Sequence, residues 1–228
     1  MVAHAIPLMD IEERRQLASK LLDGYVSGPA APTEATARAL EKAGAAEAIV
    51  LVEGISDQIA LEALAVRHGR DLDREGVVIL PIGGAQAITH YVTRFGPQGA
   101  GLRLAGLCDA GEEDIYRRGF AGADFGRPQT RTELESLGFH VCVEDLEDEL
   151  IRAVGTVRVE ALFESQGDLR PFRTLQGQPE WRGRGVQDQM RRFLGSGARR
   201  KLRYARLLTE SVELDRVPRP LDAVLDAV

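Results

Sequence analysis

Short apolar runs alternate with amphipathic stretches through the middle of this chain. Residues 48–52, 77–80, 102–108 and 139–143 are runs dominated by Val, Ile, Leu, Ala, Phe and Cys, each closed by an acid or a proline. Runs this short and this apolar predict strands buried on both faces. Between and around them, residues 56–64, 85–95, 115–120 and 132–137 space their apolar positions as helices do, with Ser56 as the expected cap of the first. Strands alternating with helices predict an α/β, Rossmann-like fold: a central parallel sheet of about four strands joined by right-handed crossovers. After Glu144 the pattern turns helical, over 146–154, 157–165, 186–194 and 198–214, and again over 221–227 behind Val217-Pro-Arg-Pro220. Residues 167–185 are polar and read as a loop. At the other end, residues 11–25 predict an amphipathic helix with Leu17, Leu21 and Leu22 on one face. Residues 26–32 read as a linker, and Thr33 caps a second helix to about Ala43. The expected division is a helical extension over 1–45, an α/β core over 46–155 and a helical, basic region over 156–228 packed on it.

Composition narrows the function classes. A chain of 228 residues can bury one sizeable core plus an appendage. No apolar run is long enough to span a membrane. The start Met1-Val-Ala-His-Ala-Ile-Pro7 lacks the basic-then-apolar shape of a signal peptide, so the cytoplasm is the expected compartment. Cys108 and Cys142 each fall in an apolar run and read as buried free thiols. With no CxxC and no Cys/His cluster, a zinc site is not expected. His4, His68, His90 and His140 are scattered, and none is assigned a catalytic part.

Charge changes the picture more. The net charge is −6, but residues 181–206 hold nine basic residues against Asp188 alone, a local +8 that leaves −14 elsewhere. An acidic, cation-binding body with a basic, anion-binding flank fits that split. The acids also gather at strand ends: Glu53 with Asp57, Asp109 with Glu112 and Glu113, and Glu144 and Asp145 with Glu147, Asp148 and Glu149. The C-terminal ends of parallel strands share one edge of the sheet. Carboxylates converging there repel unless they hold a hard cation, and an all-carboxylate set points to Mg²⁺ or Mn²⁺, one or two ions. Asp57 and the 145–149 run also complement helix dipoles; Glu53, which ends a strand, has no such alternative use.

The element Val52-Glu53-Gly54 with Asp57, then Gly83-Gly84 after the second strand, then Cys108-Asp109 after the third, resembles a TOPRIM domain. Asp145-Leu-Glu-Asp-Glu-Leu150 and Arg200-Lys-Leu-Arg-Tyr-Ala205 are similar to the TOPRIM half of the OLD (overcoming lysogenization defect) nucleases. The resemblance runs from about residue 48 to the C-terminus. It implies a divalent-metal-dependent endonuclease or nickase acting on DNA. Glu53 would be a metal ligand and general base. Asp57, Asp109 and Glu147 would be further ligands, and Lys201 would neutralise charge at the scissile phosphate. Lysine is scarce here, three against 26 arginines, and a compact ammonium in an arginine-rich helix suits that part. The pattern departs at Gly111, where the family has the second acid of an Asp-x-Asp; Glu112 or Glu113 would have to stand in.

Gly83 and Gly84 permit close backbone approach beside a phosphate. Arg191, Arg192, Arg199, Arg200 and Arg203 would track a DNA backbone without reading sequence. The sequence contains no Walker A motif, so either the chain acts alone or an ATPase joins it as a separate subunit; the other expected partners are DNA and a second copy of the chain in a homodimer. Two other readings share the site: a non-catalytic or regulatory nucleic-acid-binding module, favoured by Gly111, and a nuclease for RNA maturation.

Overall fold

The computed structural model describes residue 16, residues 20–25 and residues 28–228. The fold is α/β, with a four-stranded, all-parallel sheet flanked by helices. Strands β1 (Ala48–Val52), β2 (Val77–Pro81), β3 (Arg103–Cys108) and β4 (Phe139–Val141) lie in the order β2-β1-β3-β4. β1 is central, with Ala48 opposite both Val77 and Arg103, and all five of its residues are fully buried. The alternation of side chains divides it between two cores. Ala48, Val50 and Val52 face one, which also receives the C-terminal helices; Ile49 and Leu51 face the other.

The helices are α1 (Ala31–Ala43), α2 (Ile55–Arg67), α3 (Ile88–Phe95), α4 (Glu113–Gly122), α5 (Arg131–Ser136), α6 (Leu146–Val154), α7 (Thr156–Ser165), α8 (Leu169–Gly177), α9 (Val186–Gly195), α10 (Ala198–Ser211) and α11 (Arg219–Asp226). α3, α4 and α5 pack on one face of the sheet, and α2 with α6 to α11 on the other. α1 lies along the β2 edge, where Thr36 Oγ1 donates to the Pro81 carbonyl at 2.6 Å and covers backbone that would otherwise template another strand.

Several boundaries differ from the sequence expectation for identifiable reasons. α2 starts at Ile55, with Gly54 rather than Ser56 at the cap, because Asp57 Oδ2 accepts the Gly54 N–H at 2.9 Å. β4 stops at Val141, since the Val143 N–H donates to Glu149 Oε1 at 2.7 Å instead of to a strand. α8 stands where a loop was expected; only its Phe172 and Leu175 are buried, too short an apolar repeat to register. α10 ends at Ser211, and a single 3₁₀ turn over Leu214–Arg216 follows. The helix expected over 11–25 lies largely outside the described residues, although Leu22 reaches the core.

Cys108 and Cys142 are both buried and free. They face opposite cores, so they cannot pair, and burial pushes both thiols well above the usual range. Among the described residues no helix is long and apolar enough to cross a membrane.

Candidate metal centre

The chain leaves β1 for β2 on one side and returns to β3 on the other. The strand order therefore reverses between β1 and β3, where open parallel sheets form their ligand crevices. Glu53 and Asp109 follow those two strands directly. They meet there: Glu53 Oε1 accepts the Asp109 N–H at 3.3 Å. Asp57 joins from the first turn of α2. Glu147 joins from the first turn of α6 and is only 7% exposed. α10 packs against both α2 and α6 and brings Lys201, whose Nζ stands 3.4 Å from Glu147 Oε2.

The electrostatics show how crowded the acids are. Burial, before any other cause, raises Glu53 to about 7, with Asp57 and Glu112 adding repulsion against the Asp109 amide and Lys201. Asp109 is pushed up to about 8 by burial and then by Asp57, Glu53, Asp145 and Glu147. Glu147 rises to about 7, again first through burial, with Lys201 opposing. Asp57 is raised by burial, against Lys201 and its own cap bond to Gly54. For Lys201, burial works against the charged form, but Glu147, Asp57 and Asp109 outweigh it and its pKa rises. One ammonium does not balance four carboxylates.

Other predicted residues are placed less directly. Glu112 ends the 3₁₀ turn Ala110–Glu112, near enough to repel Glu53. Glu113 is turned away, paired with Arg117 and, at 2.8 Å, with Arg131. Gly111 is exposed, and a Cβ added to it would meet nothing within 4 Å. In the 145–149 run, Asp145 caps α6 and holds Arg191 Nε at 2.5 Å. Asp148 and Glu149 pair with Arg152. Glu147 alone is left to the cluster.

The Gly83 and Gly84 N–H groups both donate to the Glu53 carbonyl at 3.1 Å, so this turn, with φ of +79° and +113°, clamps the Glu53 backbone. Those amides are engaged rather than open to a phosphate. Arg203 is also unavailable to a phosphate: it is buried, and its guanidinium pairs with Asp168, which also accepts from Tyr204 Oη at 3.0 Å. Arg200 lies over the Phe193 ring, 4.0 Å from its centroid, and donates to Ser196 at 2.7 Å. Sequence reasoning missed Asp168, the residue that fixes α10. Its signal was faint: it stands at the α8 cap position but does not cap that helix with its side chain.

Among the described residues no three His, Cys, Asp or Glu side chains are arranged to hold a metal ion as they stand. The donor set still has hard-cation chemistry: carboxylate oxygens alone, excess negative charge, and a buried Glu147 Oε1 without a hydrogen-bond partner.

Comparison with known proteins bears on the fold. Residues 46–110 match the family model described as "Overcoming lysogenization defect protein-like, TOPRIM domain". That span includes Glu53, Asp57 and Asp109 and stops before Glu112, Glu147 and Lys201. No curated protein matches the chain. The C-terminal region of the Xanthomonas campestris pv. campestris OLD protein superposes with a TM-score of 0.60 at 22% identity, covering 80% of this chain and 94% of that one. The C-terminal region of the Burkholderia pseudomallei OLD protein gives 0.59 at 18%, covering 80% and 96%. Residues 46–110 thus resemble an OLD-like TOPRIM domain, and the chain shares the fold of the C-terminal regions of those OLD proteins.

Proposed function

We propose that the protein is a divalent-metal-dependent DNA endonuclease or nickase of the OLD-like TOPRIM type. The observation that carries this reading is the convergence of Glu53, Asp57, Asp109 and Glu147 at the strand-order switch, their pKa values raised first by burial and then by one another's charge, with Lys201 the cation beside them. Carboxylates kept so close cost stability unless a cation or a substrate proton meets them. TOPRIM domains generally bind divalent metals. Mg²⁺ or Mn²⁺, one ion or two, fits the donors in type and charge, with Glu112 as a further ligand; rotation of the carboxylates is needed to close around it. Such an ion supplies charge neutralisation at a phosphodiester and a more acidic water.

The protein's own groups have distinct parts. Glu53, which meets the Asp109 N–H at the strand-order switch, would offer its carboxylate oxygens as a ligand or as a proton acceptor. Lys201 presents its ammonium beside Glu147, placed to pair with a phosphate oxygen. The exposed Arg192 and Arg199, with Arg191 and Arg200 at the border, form the basic approach for the DNA backbone. The cytoplasm, a homodimer, a separate ATPase subunit and the three-part division at residues 45 and 155 belong to the same proposal.

Plasmid nicking in Mg²⁺ and in Mn²⁺ tests it. The parent protein is expected to nick and Glu53→Ala to lose at least 100-fold in rate, about 2.7 kcal/mol of barrier. Equal nicking by both refutes the site. Gly111 and the unclosed carboxylates favour a second reading, a non-catalytic nucleic-acid-binding module; DNA binding with no cleavage in either ion selects it. Matched DNA and RNA substrates separate a DNA enzyme from an RNA-maturation nuclease.

A further inference from the structure

Trp181 is the chain's one tryptophan. It lies between α8 and α9, half-buried against the core. Its position is fixed from inside: its carbonyl accepts from Gln189 Nε2 at 2.8 Å, and Gln189, itself buried, is held by Gln176 at 2.7 Å. Two guanidiniums stand over its ring, those of Arg184 and Arg192, 5.0 and 6.0 Å from the centroid. Arg184 donates Nε to the Glu180 carbonyl at 2.8 Å. Among the described residues, Arg192 has no hydrogen-bond or ion-pair partner; the ring is all that holds it.

The neighbourhood ties this ring to the carboxylate cluster. Arg191, the residue before Arg192, reaches Asp145 at the start of α6 at 2.5 Å, and α6 carries Glu147. α9 therefore presents one arginine to the rim of the acidic site and the next to Trp181. An aromatic face with two guanidiniums over it suits a ligand that is both planar and anionic. Single-stranded nucleic acid is such a ligand, since its unpaired bases stack on aromatic rings while its phosphates meet guanidiniums. A duplex keeps its bases stacked inside and has nothing to offer the ring.

We propose that Trp181, with Arg184 and Arg192, is a stacking platform for single-stranded nucleic acid leading into the carboxylate cluster. The proposal rests on the nuclease reading and gives it a substrate class: a phosphodiester with unpaired bases beside the cut. An unpaired base takes the place Arg192 holds over the ring, and both guanidiniums turn to the adjoining phosphates.

The lone tryptophan makes the test direct. The full-length protein, in chelator and low salt, is titrated with an oligothymidylate of about 20 nucleotides, longer than one binding site, while tryptophan fluorescence is followed. Saturable quenching by the single strand and little by a duplex of equal length is expected. No quenching, or equal quenching by the duplex, overturns the proposal. In a second arm, fluorescence anisotropy of a labelled oligothymidylate reads affinity: Trp181→Leu and Arg192→Ala are expected to bind roughly 5- to 150-fold more weakly, and Trp181→Phe to keep most of the affinity. Circular dichroism confirms that the variants fold. Unchanged affinity in a folded Trp181→Leu also overturns it. Because no metal is present, these results do not depend on cleavage, and a failure of the Glu53→Ala nicking test is read separately.

Discussion

Helix α10 serves two charged clusters of opposite character. Lys201 and Arg203 are two positions apart, about 200° around the helix, so they face different surroundings. On one side Lys201 meets Glu53, Asp57, Asp109 and Glu147, one cation against four acids. On the other, Arg203 and Tyr204 close on the single carboxylate of Asp168, with Arg200 Nε 3.9 Å away. The second cluster is matched within the protein and anchors the helix. The first is not: burial, with mutual repulsion, raises all four acids, Glu53 and Glu147 to about 7 and Asp109 to about 8. The difference separates buried charge that the fold itself matches from buried charge that it leaves unmatched.

The largest expected effect lies in the matched cluster. Removing Arg203 leaves Asp168 buried without its main cation, so Arg203→Ala should lose about 3–5 kcal/mol in urea unfolding. Lys201→Ala, at a side chain 41% exposed, should lose no more than about 1 kcal/mol. Equal losses would erase the contrast.

The next effect is a pH dependence of the metal-free protein. Glu53, Asp109 and Glu147 sit at about 7, about 8 and about 7, above their ordinary values of 4.5, 3.8 and 4.5. Between the ordinary and the raised values the folded state binds more protons than the unfolded one, so stability falls as pH rises. In chelator, Tm should fall between about pH 5 and 8, with the full penalty present above about 8; saturating Mn²⁺ should remove that fall. A flat profile in chelator contradicts the crowding.

Smaller still, Glu147→Gln removes one of the repelling charges. It should raise the stability of the metal-free protein at pH 8 by on the order of 1 kcal/mol, while weakening Mn²⁺ binding. A destabilised variant would mean that the Lys201–Glu147 pair matters more than the repulsion. The smallest effect belongs to Gly111→Asp. The site is exposed, has room for a Cβ and needs no positive φ, so stability should stay within about 0.5 kcal/mol. Mn²⁺ affinity, read by calorimetry, should rise; no rise would place residue 111 outside the site.

The sheet was legible in the sequence because each strand is a short apolar run that ends in a change of chemistry. Glu53 and Asp109 were legible for the same reason: an acid directly after such a run stands at the sheet edge. The sorting of the 145–149 acids was not legible from pattern, because Asp145, Asp148 and Glu149 differ from Glu147 only in which partner they reach; the family resemblance pointed to Glu147. α8 escaped because two buried apolar residues, among arginines and Pro171, do not make a helical repeat. Arg203 read as a surface cation since composition counts charges without showing where they point. Its place beside Tyr204 and Ala205, both on the buried face, was the available clue. Which arginines remain open to nucleic acid followed only from their partners.

Whether the unmatched carboxylates form a divalent-metal site is decided by isothermal calorimetry of Mn²⁺ binding at pH 7.5. Repeating the titration in buffers of different ionisation enthalpy reports protons released, because carboxylates with pKa values of about 7 and about 8 are partly protonated before the ion enters. Saturable binding of one or two ions with proton release, abolished or greatly weakened in Glu53→Ala, is predicted. No saturable binding, or binding without proton release and indifferent to Glu53, would mean that these carboxylates are not a metal site.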